Sequence, residues 1–268
     1  MAVINVTPDS FSDGGQYSTA ESALDCANRM IAEGADIIDI GGESTRPATF
    51  HDGTPITAKE EIERVVPAIQ AIRRAHPHTP LSIDTYKAEV ASAALDAGAT
   101  IINDISALRY DPGMAKLAAE RTCPLILMHL PGKPRNIDVN VDYGDIMKVL
   151  ATFFKSRVRA AEHAGILRSN LVIDPGLGFG KNVSANLEII RRLGELRALQ
   201  LPILVGPSRK RFIGSVLDTE DPLDRVEGTC AAAALSIAHG AALIRGHDIK
   251  ELVRTARMTD AILLPSLN

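Results

Sequence analysis

A six-residue pattern occurs three times in the chain, and it constrains the fold more than any other feature. Gly34-Ala35-Asp36-Ile37-Ile38-Asp39 resembles Gly98-Ala99-Thr100-Ile101-Ile102-Asn103, and both resemble Gly240-Ala241-Ala242-Leu243-Ile244-Arg245. Each copy follows an alanine-rich stretch, so the glycine suits a helix C-cap and the apolar run suits a strand buried on both faces. The glycines at 34, 98 and 240 stand 64 and 142 residues apart. Those gaps accommodate two and four strand–helix units of roughly 32–36 residues. The pattern predicts eight short apolar strands near 2–6, 36–40, 80–84, 99–105, 124–128, 170–174, 201–205 and 242–246. Helical stretches follow them, for example 58–74 and 222–239. Connections into strands are short, as at Glu33-Gly34, whereas those at 7–17, 41–56 and 129–141 are long and follow strands. An eight-fold barrel builds its active site from the loops after its strands. The fold class expected is α/β, a (β/α)8 TIM barrel forming one domain over residues 1–268, with a short first strand at the N-terminus that frays at its start. A doubly wound open sheet is the alternative.

Charge and cysteine content narrow the function. Twenty-nine Lys and Arg against 33 Asp and Glu give a net charge of −4. That argues against a nucleic-acid binder dominated by phosphate contacts, while leaving room for a local cationic pocket. Cys26, Cys123 and Cys230 form no CxxC pair, so neither a structural zinc site nor a disulfide framework is expected. The apolar run from Cys230 to Ile244 carries His239 and Gly240 and reads as a helix followed by a strand, so no membrane partner is expected. No signal-peptide pattern opens the chain, so a cytoplasmic location is expected.

Six segments at strand ends carry chemistry. The first runs from Asn5 through Thr7-Pro8-Asp9-Ser10 to Gly15, a loop of small polar donors. The second, Gly41-Gly42-Glu43-Ser44-Thr45-Arg46-Pro47, offers donors for a carboxylate or phosphate. The third comprises Asp84, Asn103-Asp104 and Asp174, acidic or amide groups able to recognise a heterocycle with paired N–H groups; each is equally able to cap the next helix. The fourth, Asp174 to Lys181, has neither the Walker A spacing nor the dinucleotide GxGxxG spacing. Its glycines suit a pocket around Phe179. The fifth is Ser208-Arg209-Lys210-Arg211 after strand seven, and the sixth Arg245-Gly246-His247-Asp248 after strand eight. Barrels often place a phosphate site at these two loops. Asp248 is expected to cap the last helix. His76 and His78 read as exposed, His163 and His239 as helix-end cations.

Together these segments resemble dihydropteroate synthase, a family whose motifs run in this order over nearly the whole chain, Val3 to about Leu263. The resemblance implies a (β/α)8 barrel, a homodimer, and small-molecule substrates. The reaction implied joins 7,8-dihydropterin-6-ylmethyl diphosphate to 4-aminobenzoate, releasing diphosphate. It also implies Mg2+ as cofactor, met by Asn5. Asp84, Asn103, Asp174 and Lys210 match the pterin pocket, with Met128 as a wall. Arg245 and His247 match the diphosphate-binding pair and are expected to act as cations, and Ser208 is a further substrate-binding residue. Ser44, Thr45, Arg46 and Pro47 match a substrate loop, and Phe179 the aminobenzoate slot. Lys210, Arg245, His247, Asp84 and Asp174 are the implied catalytic set. The diphosphate bond is expected to break early, and the arylamine needs no strong base. Ala48, Gly246 and the stretch 128–134 depart from the family pattern. Two other readings share the barrel: the pterin module of a corrinoid-dependent methyltransferase, and a non-catalytic pterin-binding paralogue.

Overall fold

A computed structural model describes residues 1–6, 19–43, 56–132 and 141–264. Eight parallel strands alternate with helices: β1 (Ala2–Asn5), β2 (Ile38–Gly41), β3 (Leu81–Asp84), β4 (Ile101–Asp104), β5 (Leu125–Met128), β6 (Leu171–Asp174), β7 (Leu204–Val205) and β8 (Leu243–Ile244). The helices are α1 (Thr19–Ala32), α2 (Ala58–Ala75), α3 (Ala88–Ala97), α4 (Pro112–Arg121), α5 (Ile146–His163), α6 (Val183–Arg192), α7 (Arg211–Leu217), α8 (Val226–Ala238) and α9 (Ile249–Leu263).

Strands pair in chain order, β1 through β6, and β7 pairs β8. A parallel bridge between Ile173 and Ile203 joins β6 to β7, and another between Ala2 and Gly246 joins β8 to β1. The ring therefore closes as a (β/α)8 barrel, and strictly sequential pairing rules out the doubly wound alternative. The first strand does not fray. Ala2 is fully buried, Val3 N–H donates to the Gly246 carbonyl at 3.1 Å, and Gly246 N–H donates to the Met1 carbonyl at 3.0 Å. Barrel closure gives β1 partners on both sides, which an open sheet edge would lack.

The three glycines of the repeated pattern, Gly34, Gly98 and Gly240, all take left-handed φ of 101–117°. At each, α1, α3 or α8 stops and the chain turns into the following strand. Side chains such as Ile69 and Ile72 from α2 and Phe154 from α5 pack with Ile40, Leu81, Ile83, Leu125 and Ile173 into one core. Strand alternation sends the other set of side chains into the barrel. Asp39, Ser82, Asp84 and Asn103 belong to that inner set. Among the described residues, no helix is long and apolar enough to cross a membrane.

Candidate active site

The sixth residues of the three repeated segments, Asp39, Asn103 and Arg245, meet inside the barrel. Arg245 Nε donates to Asp39 Oδ2 at 2.6 Å, and Asn103 Nδ2 donates to the same oxygen at 3.2 Å. Arg245 Nη2 reaches across to Asp84 Oδ2 at 2.7 Å. Asp39 is fully buried, and two carboxylates thus bracket one guanidinium. Burial works against the charge of Arg245, but Asp39 and Asp84 outweigh it and hold the group firmly protonated. Burial, reinforced by the Asp39 charge, pushes the Asp84 carboxyl above its usual range against the pull of Arg245. Asp39 Oδ1, Asp84 Oδ1 and Ser82 Oγ are buried without a hydrogen-bond partner among the described residues. Buried acceptors left unpaired are costly, so this inner surface is built to receive donors.

The capping reading of the carboxylates fails. Helix α3 starts at Lys87 without a side-chain cap, α4 is capped by Asp111 and α6 by Asn182. Asp174 is 6% exposed; its Oδ1 accepts the Gly176 N–H at 2.7 Å, and burial pushes its carboxyl up despite Arg245, Lys210 and Lys181. Asp104 turns away from the pocket. Its two oxygens accept the Ser106 and Leu108 N–H groups at 2.7 Å each, which holds Ala107 and Leu108 in left-handed conformations.

The segment after β6 is folded around a buried lysine. Lys181 Nζ donates to the carbonyls of Gly176 and Phe179 at 2.9 Å and of His129 at 3.3 Å. Burial pulls its ammonium down to about 7, against the Asp174 charge. Gly178 has φ of +79°, and a Cβ there would stand 2.7 Å from Lys210 Cδ. The lysine stem passes over this bare backbone and sets Lys210 Nζ 4.0 Å from the centre of the Phe179 ring. Ile105, Met128 and Leu130 form a second small apolar cluster with Tyr86, Tyr110 and Phe179 beside it, a wall suited to a flat ring.

After β7 and β8 the cations sort themselves. Lys210 faces the pocket, and its charge acts on both Asp84 and Asp174. Arg209 turns away and pairs with Asp248 through two nitrogens, at 3.1 and 2.5 Å. That pairing corrects one expectation: Asp248 stands at the N-cap position of α9 but makes no cap bond with its side chain. Ser208 Oγ lies 3.0 Å from His247 Nδ1 and accepts the His247 N–H at 3.2 Å. A second correction concerns charge. Burial and the neighbouring Arg245, Arg209 and Lys210 pull His247 down to about 4, so at neutral pH it is an uncharged imidazole rather than a cation. His239 Nδ1 meets the Ile190 carbonyl at 2.8 Å, tying α8 to α6.

Asn5 ends β1 in register with Gly41, which is in register with Asp84. A Cβ at Gly41 would lie 3.8 Å from Asn5 Oδ1 and 3.6 Å from Asp84 Cβ, so the missing side chain leaves the gap between those two groups open. The rim thus brings together Asn5, Asp84, Asn103, Asp174, Lys210, Arg245 and His247. Ser44, Thr45, Arg46, Pro47 and Ala48 lie outside the described residues. Sequence reasoning missed Asp39 and Lys181. Asp39 was signalled by its place in the repeat, where a charge stands inside an otherwise apolar strand. Gly246 has a local reason: a Cβ there would meet Leu252 Cδ1 at 2.3 Å.

Known proteins resemble this chain over nearly its whole length. Residues 1–247 match the pterin binding enzyme family. The chain is 44% identical over 262 residues to a dihydropteroate synthase of Synechocystis sp., a match covering 98% of this chain and 89% of that protein. A solved Xanthomonas albilineans dihydropteroate synthase with 4-aminobenzoic acid superposes with a TM-score of 0.91 at 42% identity, covering 98% of this chain and 92% of that one. The enzyme of the same organism in complex with 7,8-dihydropteroate gives 0.88 at 40% identity, with coverage of 98% and 93%.

Proposed function

The chain belongs to the pterin binding enzyme family, and from that premise we propose how its rim performs the reaction of a dihydropteroate synthase. The enzyme joins the 7,8-dihydropterin-6-ylmethyl group to 4-aminobenzoate. The C–O bond to diphosphate breaks, a C–N bond to the arylamine forms, and the amine gives up one proton. The carrying observation is the bracketed Arg245, with unpaired acceptors on Asp39, Ser82 and Asp84 opening onto the same rim as Lys210 and His247.

Asp84 and Asp174 accept the N–H edge of the pterin, Asn103 completes that edge, and Met128 packs against the ring. Arg245 keeps two neighbouring carboxylates from repelling each other in a water-poor pocket. Lys210, Ser208 and His247 face the departing diphosphate, with Ser208 held against His247 Nδ1 and Nε2 as the ring nitrogen that donates to the diphosphate. Donors held ready for developing charge lower the barrier, and removal of one costs on the order of 3 kcal/mol. Phe179 forms the aminobenzoate side, for which the sequence also offers Ser44, Thr45, Arg46 and Pro47, outside the described residues. Magnesium, when bound, draws negative charge from the leaving group. Among the described residues no three acidic, histidine or cysteine side chains gather into a metal cage. The single amide oxygen of Asn5 fits an ion held mainly by diphosphate oxygens and water.

We further propose a cytoplasmic homodimer. Val216 and Leu217 on α7, Leu235 on α8 and Met258 and Ile262 on α9 are large apolar residues at least 47% exposed, as expected of a face covered by a second copy. Light scattering on the purified protein tests it, and a monomer at micromolar concentration contradicts it.

The test of function mixes the protein with the pterin diphosphate, 4-aminobenzoate and Mg2+. Diphosphate should appear together with dihydropteroate. Intact pterin binding without any release would favour the non-catalytic reading.

A further inference from the structure

Lys210 is one of the groups proposed to face the departing diphosphate, and the residue before it is the strained one. Arg209 has φ of +57°, a conformation that non-glycine residues rarely adopt and that surroundings must impose. Three groups fasten it. Its N–H donates to Thr229 Oγ1 at 3.1 Å, its carbonyl accepts from Arg225 Nη1 at 3.0 Å, and its guanidinium pairs with Asp248. Arg225 is only 6% exposed. Its Nη2 donates to the carbonyls of Thr219 and Glu220, its Nε is buried without a hydrogen-bond partner, and no carboxylate pairs with it among the described residues. A buried guanidinium spent on backbone carbonyls is an expensive device unless the backbone it holds matters.

We infer that Arg225 is a positioning residue for the transfer reaction: by clamping the Arg209 carbonyl it holds the left-handed turn that aims Lys210 over Phe179 and Ser208 at His247. The geometry supports this direction of action. Ser208 and Lys210 flank the strained residue, and Arg225 and Thr229 reach it from the start of α8, outside the pocket. The inference rests on the proposed function for its catalytic meaning, but the turn itself can be read without substrate.

The test uses protein labelled with 13C-lysine. Methylene signals of Lys210, assigned with Lys210→Arg, should be shifted by the ring current of Phe179, given the 4.0 Å approach. In Arg225→Met these signals should move to the positions of exposed lysines. Adding Arg209→Gly should return them at least halfway, because glycine adopts positive φ without the clamp. A merely structural Arg225, closing the loop before α8, would not be rescued by glycine at 209. If Arg225→Met does not fold, Thr229→Val, which removes the other backbone anchor, should shift the same signals in the same direction. Unmoved Lys210 signals in a folded variant, or a shift that Arg209→Gly leaves unchanged, overturn the inference. In turnover, Arg225→Met should raise KM for the pterin diphosphate roughly tenfold, the scale of one hydrogen bond to a charged group. KM for 4-aminobenzoate should stay within about twofold. Should the wild-type protein release no diphosphate at all, the functional reading fails while the spectra still decide the role of Arg225.

Discussion

Asp39→Asn isolates the electrostatics at the centre of the site. The carboxylate is fully buried and takes Arg245 at 2.6 Å and Asn103 at 3.2 Å. Asparagine keeps the shape and one oxygen for Arg245 Nε, but the nearest countercharge is lost, and Asp84 and the weaker pull of Asp174 remain to neutralise the guanidinium. Breaking a buried pair costs about 3–5 kcal/mol, and the retained oxygen places this variant near the low end, ~3 kcal/mol. With 268 residues, an unfolding entropy of roughly 2.1 cal/mol/K per residue sums to about 560 cal/mol/K, so Tm should fall by about 5 °C. The variant also acts on Asp84, whose carboxyl the Asp39 charge helps to push up. Without that charge, Arg245 draws the Asp84 carboxyl down. A pterin that needs ionised Asp84 binds better as pH rises through its pKa, so the acid-side midpoint of binding should move to lower pH in the variant. Calorimetry gives the first quantity, and fluorescence titration of a pterin without diphosphate between pH 5 and 8 gives the second. A Tm change under about 1 °C, or a midpoint that moves upward, refutes the reasoning.

Three further outcomes follow from the geometry. Gly178→Ala places a methyl 2.7 Å from Lys210 Cδ at a φ of +79°, and should cost about 1–3 kcal/mol in stability and lower kcat/KM for the pterin diphosphate at least tenfold; steady-state kinetics that match wild type would contradict it. The His247 ring should stay neutral from pH 8 to 5.5, and 15N shifts of the imidazole showing a midpoint near 6.5 would mean its surroundings are less cationic and less dry than described. Lys181→Met strands three backbone carbonyls and should cost at least about 2 kcal/mol by urea unfolding. In wild type the folded pKa of Lys181, about 7, lies below its unfolded value, so the unfolded chain binds the extra proton between the two. This lysine therefore makes stability rise with pH above 7, a slope that the Lys181→Met variant should lack.

The barrel was legible because buried parallel strands are written as short apolar runs at a constant spacing, and the three repeat glycines mark where helices must stop. The same repeat placed Asp39, Asn103 and Arg245 at equivalent positions, but spacing alone does not say that a ring closes them onto one another. Two carboxylates readable as helix caps, Asp84 and Asp174, could be told from caps only once Lys87 and Asn182 were seen at the helix starts. Asp248 shows the opposite failure: its cap position is right, but Arg209, 39 residues away, takes the carboxylate. The charge of His247 was unreadable too, since it depends on burial and on Arg209 and Lys210, which the fold brings up from another loop to join Arg245.

The central claim is that one rim of the barrel holds both a carboxylate-lined slot for the pterin and a diphosphate cradle. A crystal structure of the protein soaked with 6-hydroxymethylpterin and diphosphate tests it most directly. The pterin N–H edge should lie on Asp84 and Asp174 with Met128 against the ring, and the diphosphate beside Lys210, Ser208 and His247. Density for either molecule at the opposite end of the barrel, or a pterin whose N–H edge avoids both carboxylates, would contradict the account.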